Sequence, residues 1–258
     1  MAILLCMNVV KPTSHQIERQ VFLQAEWRHL VMLNFTVPRE LLEPLVPAGT
    51  VLDLWQGRAY VSVVGFLFLN TRVRGMRIPW HTNFEELNLR FYVRRDTKDG
   101  PRRGVVFVRE LVPRRLIAWV AKYVYNENYA YARMSHDLTF DDDGRLTRAS
   151  YAWRYRKAMQ NSISVCIEQS WSTPAPGSEE EFITEHYWGY ARQRDGSTME
   201  YRVSHPAWRV AVCGLPGRMA DWAGLYGEDF GSALSVSPVS AFVAEGSGVS
   251  VYRGVRIA

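Results

Sequence analysis

The chain has 258 residues, 47% of them apolar, enough to bury one large core or two small ones. Its net charge of +5 comes almost wholly from arginine, the lysines being Lys11, Lys98, Lys122 and Lys157, and no basic run or nucleic-acid motif accompanies it, which argues against a nucleic-acid partner. Cys6, Cys166 and Cys213 are far apart, with no CxxC or paired Cys/His spacing, which argues against a disulfide framework or a structural zinc and suits a cytoplasmic, reducing setting.

The start, MAILLCMNVV, is apolar but has no basic flank or small-residue cleavage site, and it is too short to span a bilayer. Residues 1–18 read as an N-terminal extension and 19–258 as a single domain, with no membrane partner expected. The first strand is expected over Ala25–Val37, followed by a short helix from Pro38 through RELLEPLV that Pro47 stops. TVLDLW, a turn at Gln56-Gly57 and RAYVSVVGFLFL then read as a hairpin of long strands. Arg72–Pro79 is a basic loop.

The strand Glu85–Arg95 has the clearest alternation. Leu87, Leu89, Phe91 and Val93 share one face, while Glu86, Asn88, Arg90, Tyr92 and Arg94 share the other. The polar face is either a solvent face or the lining of a polar cavity, and spacing leaves both open. A turn at Lys98–Pro101 leads to a strand over Gly104–Leu111, and Pro113 opens a helical stretch with Leu116, Ile117, Val120 and Val124 on one side.

Ser135–Phe140 and Arg145–Arg156 flank Asp141–Gly144, a hairpin turn rather than a calcium loop, since Arg145 stands where a ligand would be needed. STPAPGSEEE, Ser172 to Glu181, reads as a surface loop. A further hairpin is expected between Glu181–Gln193 and Thr198–Val203, which makes His186 a packed strand histidine. A short helix over Pro216–Leu225 precedes a last hairpin, Val239–Ala244 with Val249–Ile257, across Glu245–Gly248. The expected fold is mainly β: a single antiparallel β-barrel-like domain with two or three short helices.

No HxH, HxxxH or HExxH spacing, GxSxG elbow, Walker A loop or GxGxxG element occurs, so no metal or other cofactor is expected. What remains is the polar strand face, with Arg28, Arg58, Tyr60, Glu110, Glu127 and Arg133 on neighbouring elements.

EWRHLVMLNFTVPRELLEPLVPAGTVLDLWQGRAYVSVVGF, NFEELNLRFYVRR, GVVFVREL and EEFITEHYWGYARQRDG resemble the YqjF-like family of uncharacterised bacterial proteins, from about Val21 to about Arg209. That family resembles, more distantly, acetoacetate decarboxylase, and the resemblance implies its fold. It places two decarboxylase arginines on Arg28 and Arg58, an acidic site position on Tyr60, and the REL motif on Arg109-Glu110-Leu111. The decarboxylase follows REL with a lysine pair, one member of which forms a Schiff base. Here Val112-Pro113-Arg114-Arg115 follow, Ala132-Arg133 come later, and Lys122 falls in the helical stretch opened by Pro113, which the decarboxylase lacks. Arginine stays protonated and forms no iminium, so Schiff-base decarboxylation is not expected.

The expectation is a small-molecule-binding protein with an Arg/Glu-lined pocket for an acidic ligand, held by Arg28, Arg58, Tyr60, Glu86, Arg90 and Arg133. The alternatives are an enzyme using Glu110 or Glu127 as general acid or base, and a structural or interaction protein with solvated strand faces. Homo-oligomerisation is not readable from the sequence.

Overall fold

The computed structural model describes residues 20–114, 128–156 and 159–258. Strands dominate, as the Val, Phe and Tyr content favours. β1 (Val21–Val37) and β3 (Ala59–Val73) pair antiparallel along most of their length, from Val37↔Ala59 to Leu23↔Val73. Between them lie α1 (Arg39–Leu42), entered at Pro38, a 3-10 turn (Glu43–Leu45) and the very short β2 (Val51–Leu52). Gln56 and Gly57 both have positive φ, 48° and 77°, and Trp55 and Arg58 bridge across them. This is the two-residue turn whose twist matches paired strands.

β4 (Phe84–Thr97) and β5 (Gly100–Val112) form the next hairpin. β6 (Tyr129–Phe140), β7 (Leu146–Tyr155) and β8 (Asn161–Cys166) form an outer layer with the short β12 (Gly217–Met219) at its edge. The expected turn at Asp141 is present: its Oδ1 accepts from the amides of Asp143 and Arg145 at 3.0 and 2.8 Å.

β9 (Trp188–Arg192), β10 (Thr198–Ser204) and β13 (Ser240–Tyr252) complete the inner layer, with β11 (Val210–Val212) and β14 (Val255–Arg256) added at its edges. The pairings run β4–β5–β9–β10–β13–β1–β3 and return to β4, so the barrel-like arrangement is present. It is not purely antiparallel, because β5 pairs in parallel with both β6 and β9. Gly104 permits the second contact, since a Cβ there would lie 2.5 Å from the Trp188 carbonyl oxygen.

Three expectations are corrected. Glu181–Gln193 is not one strand: Glu179–Thr184 forms helix α2, whose cap Ser178 accepts from the Glu181 amide at 3.2 Å. Three glutamates in its first turn face the positive end of the helix dipole. The last hairpin is likewise absent, because β13 runs unbroken through Glu245–Gly248. Gly246 (φ 79°) is a distortion inside the strand, pressed against β1, where a Cβ would lie 1.9 Å from the Trp27 carbonyl oxygen. Finally, Pro216–Leu225 splits into β12 and α3 (Trp222–Tyr226), and α4 (Glu228–Ser235) follows. The helix expected from Pro113 falls largely on 115–127, and the N-terminal extension on 1–18; both segments lie outside the described residues.

Two apolar clusters hold the layers together. One joins the outward faces of β1, β3 and β4 to the outer strands and to α3 and α4, through Tyr151, Trp153, Ile163 and Leu225. The other lies inside the circuit, where Phe182 and Ile183 of α2 fill one end. Each such buried side chain contributes about 1.5–3 kcal/mol.

Candidate functional site

On β4, Leu87, Leu89, Phe91 and Val93 are each 0% exposed and pack towards the outer layer. Glu86, Asn88 and Arg90 therefore face the interior, where they line a cavity of about 280 Å³. They are only 2%, 2% and 9% exposed, so this row is not a solvent face. Tyr92 continues it below the cavity, 2.6 Å from Ser62 Oγ, which donates to Asn34 Oδ1 at the same distance. Ser62 has one hydrogen to give, so Tyr92 donates to it.

β5 supplies the adjoining part of the wall through an irregularity. Phe107 and Glu110 are an odd number of residues apart and would point to opposite faces of a regular strand. The ladder pairs Leu89 with Arg109 but Arg90 with Phe107, leaving Val108 as an extra residue. Such a bulge re-aims the side chains on either side of it. Both Phe107 and Glu110 consequently line the cavity, while Arg109 reaches the Leu225 carbonyl on the outer side. Glu110 stands opposite Asn88 and beside Tyr129 of β6.

These groups are interconnected. Tyr129 donates to Glu86 Oε2 at 3.2 Å, and Asn88 Nδ2 donates to Glu86 Oε1 at 3.1 Å. Arg90 Nη2 donates to the Ile183 carbonyl of α2 at 3.1 Å. Among the described residues Arg90 makes no ion pair, and its buried Nε has no hydrogen-bond partner. Asn88 Oδ1, also buried, is likewise unpartnered. The adjoining part of the lining is aromatic, since Phe66 pairs with Glu86 across β3 and β4: Phe68 stacks on Phe84 at 4.8 Å, and Trp27 lies edge-on to Phe66 and Phe68. His205, stacked on Trp208 at 4.0 Å, is held below the usual histidine range by burial. Ile78 belongs to the lining and is also 39% exposed, so the cavity opens beside the loop after β3.

His186 also lines the cavity. It is packed, as expected, against Tyr92 and Phe182, but in the connection between α2 and β9 rather than on a strand. Its Nε2 lies 3.2 Å from Asp53 Oδ2, and that oxygen also accepts from Arg103 Nε at 2.7 Å. Burial, partly offset by Asp53 and reinforced by Arg103, pushes the imidazole down to about 4. Burial alone would raise Asp53, yet the bonds from His186 and Arg103 hold its carboxyl below the usual range. Neither the Asp53 contact nor the cavity position of His186 carries a sequence signal, because the partners are 133 residues apart.

The sequence-derived site residues thus divide into groups. Glu86, Arg90 and Glu110 come together in the cavity wall. Tyr60 is buried but lies outside the lining; its hydroxyl donates to Glu179 at 3.0 Å and is shifted upward by burial and by that carboxylate. Arg28 is half-buried and engaged with Glu26 at 2.8 Å and with the Gly246 carbonyl. Arg58 is exposed beside the Gln56-Gly57 turn, and Arg133 is exposed on β6, so neither reaches the cavity. Glu127 and Lys122 lie outside the described residues. Lys98, exposed at the β4–β5 turn, is the one lysine among the described residues, and none lines the cavity there.

The sequence profile of DUF2071, described as an uncharacterized conserved protein, matches residues 24–247. The chain belongs to the DUF2071 family. Over 135 residues it is 30% identical to the uncharacterized protein YqjF of Bacillus subtilis strain 168, which is 52% of each chain. The DUF2071 chain thus spans about half the length of that relative. Among solved structures, the enduracididine biosynthesis enzyme MppR complexed with pyruvate shares its fold at a TM-score of 0.63, with 12% identity, covering 97% of this chain and 96% of that one. Acetoacetate decarboxylase from Legionella pneumophila matches at 0.62 and 10%, covering 98% of each chain. An acetoacetate decarboxylase-like enzyme from Sphingomonas wittichii RW1 matches at 0.60 and 11%, covering 98% of this chain and 99% of that one. At these identities the likeness shows that this DUF2071 protein has the acetoacetate decarboxylase-like fold. Among the described residues no helix is long and apolar enough to cross a membrane.

Proposed function

We propose that the protein binds a small carboxylic acid with an apolar body in this cavity, with Arg90 against the carboxylate. Arg90 carries the reading: the residue is 9% exposed, makes no ion pair among the described residues and has a free buried Nε. A buried charge without a counterion is costly, and an anionic ligand supplies one. Glu86, Asn88, Glu110 and Tyr129 would select polar substituents, while the Trp27–Phe66–Phe68–Phe84 wall would cover the apolar part. Support by analogy comes from MppR, which shares the fold and whose structure is complexed with pyruvate, a small keto acid.

The test is a thermal-shift and calorimetric series of carboxylic acids of increasing apolar length, each paired with its primary amide, against wild type and Arg90→Met. A ligand at a hundred times its Kd stabilises by about 2.7 kcal/mol. Acids should raise the melting temperature of the wild type, their amides should not, and Arg90→Met should lose the response. Equal responses to acid and amide would reject Arg90 as the anchor.

A second reading, catalysis without a covalent lysine, is favoured by the burial of two carboxylates in one wall, Glu110 at 1% and Glu86 at 2% exposed. Burial of this kind suits general acid or base work. Glu110→Gln separates the two readings: turnover of a bound keto acid would be lost while binding persists.

A further inference from the structure

The loop between β3 and β4 does something the cavity does not require of it. Val73 and Met76 bridge across Arg74 and Gly75, both at positive φ, so the chain makes a tight two-residue turn. The Arg74 amide donates to the Phe22 carbonyl at 2.8 Å, which ties this turn to the start of β1. Beyond it Met76, Ile78 and Trp80 are exposed to 68%, 39% and 86%. Arg72, Arg74 and Arg77 are exposed among them, and no acidic residue occurs from Thr71 to Phe84. Two carboxylates beside its ends are engaged elsewhere, Glu26 with Arg28 and Asn70, and Glu85 with His136. Arg253, also exposed, is placed at the same edge by the bond from its amide to Gln20 and by the pairing of Tyr252 with Val21.

We infer that this finger docks the protein onto an anionic phospholipid surface, with Met76, Ile78 and Trp80 entering the interface and Arg72, Arg74 and Arg77 meeting lipid phosphates. The composition matches that partner in two independent ways. Trp prefers the depth of the headgroups, and arginines can hold their charge in water while their stems lie on apolar surface. The positive charge, uncompensated by any acid within the loop, complements the negative potential of anionic lipids. A narrow hairpin tip also offers little of the roughly 800 Å² per partner that a stable protein interface buries. The absence of a crossing helix bears on spanning, and a finger of this kind needs only the interface. Docked in this way, the cavity mouth beside Ile78 faces the bilayer, open to an amphiphilic acid. That last consequence rests on the ligand reading above; the docking itself does not.

Flotation with vesicles tests the docking. Wild-type protein is mixed with vesicles of phosphatidylcholine alone or of equal parts phosphatidylcholine and phosphatidylglycerol, at low and high salt. Each arginine near an anionic surface contributes about a fivefold gain in partition. The combined Arg72→Ala, Arg74→Ala, Arg77→Ala variant should therefore bind the mixed vesicles about a hundredfold more weakly. Replacing Met76 and Trp80, which lie outside the cavity lining, with serine should weaken binding at both salt concentrations, and neither variant should change the melting temperature of the lipid-free protein. Wild type failing to float with anionic vesicles at low salt, or both variants floating as wild type does, overturns the inference. So does a wild-type dimer, seen by sedimentation, that the serine variant splits while no vesicle binding occurs; the finger would then be a contact between copies. Acid binding measured without vesicles is unaffected by any of these results, so the two readings fail separately.

Discussion

His186 donates from Nε2 to Asp53 Oδ2 across 3.2 Å, joining the α2–β9 connection to the segment after β2. A carboxylate only accepts, so Nε2 carries the hydrogen and the neutral ring keeps its lone pair on Nδ1. The pair has a definite pH signature. The folded imidazole sits at about 4 against an ordinary 6.5, so the unfolded chain binds more protons between those values. Stability should therefore be full above about pH 6.5 and should fall on acidification towards pH 4, by roughly 3 kcal/mol in all. Asp53, whose carboxyl is lowered, adds its own loss only below the ordinary carboxylate range. Urea titrations from pH 7 to 4 should show the slope in wild type and its flattening in His186→Gln; equal slopes would reject the assignment.

Arg90→Met removes a buried cation that has no counterion among the described residues. The ligand-free protein should become more stable by about 1–2 kcal/mol, the low end of what replacing buried charge with apolar groups gives, because the cavity is open to solvent at Ile78. A fall in the midpoint of chemical denaturation would mean that Arg90 already has its compensation.

Glu200 is 0% exposed and accepts from Arg95 at 3.0 Å and from Arg102 at 2.7 Å. Glu200→Ala should cost about 3 kcal/mol, the lower bound for breaking a buried pair, since the arginines keep about a quarter of their side-chain surface in water. Calorimetric melting measures the loss.

Gly246→Ala introduces a Cβ into a residue at φ 79°, 1.9 Å from the Trp27 carbonyl oxygen. The strained backbone and the clash together should cost about 3 kcal/mol or more. Expression and melting of the variant beside Gly57→Ala, which has positive φ but nothing within 4 Å, separates the clash from the strain.

The readable parts of the sequence were those set by local rules. Alternation on β4 gave the two faces, and the burial of its apolar face leaves Glu86 and Arg90 inside. The Gln56-Gly57 and Asp141–Gly144 turns followed from residues suited to positive φ or to capping by a short carboxylate. The same rule misled at Glu245–Gly248, where Gly246 serves a close approach to Trp27 inside a continuous strand. SEEE after Gly177 was a helix-start signal hidden in a stretch that looks like a loop. Exposure of Arg133 depends on which strands neighbour its own, that of Arg58 on how the Gln56-Gly57 turn sits at the surface, and the Asp53–His186 contact on closure of the circuit. None of these is encoded in any short window.

The extra residue at Val108 splits β5 into two phases. From Val105 to Phe107 the odd-numbered positions meet the cavity, and at Glu110 an even one does. Substitution patterns along this strand in any relative must therefore be read in separate frames on either side of position 108. A one-residue deletion there would leave the motif REL intact in the sequence and turn its glutamate out of the cavity. The motif and its orientation are thus separate properties: three residues make the first, and the spacing upstream sets the second.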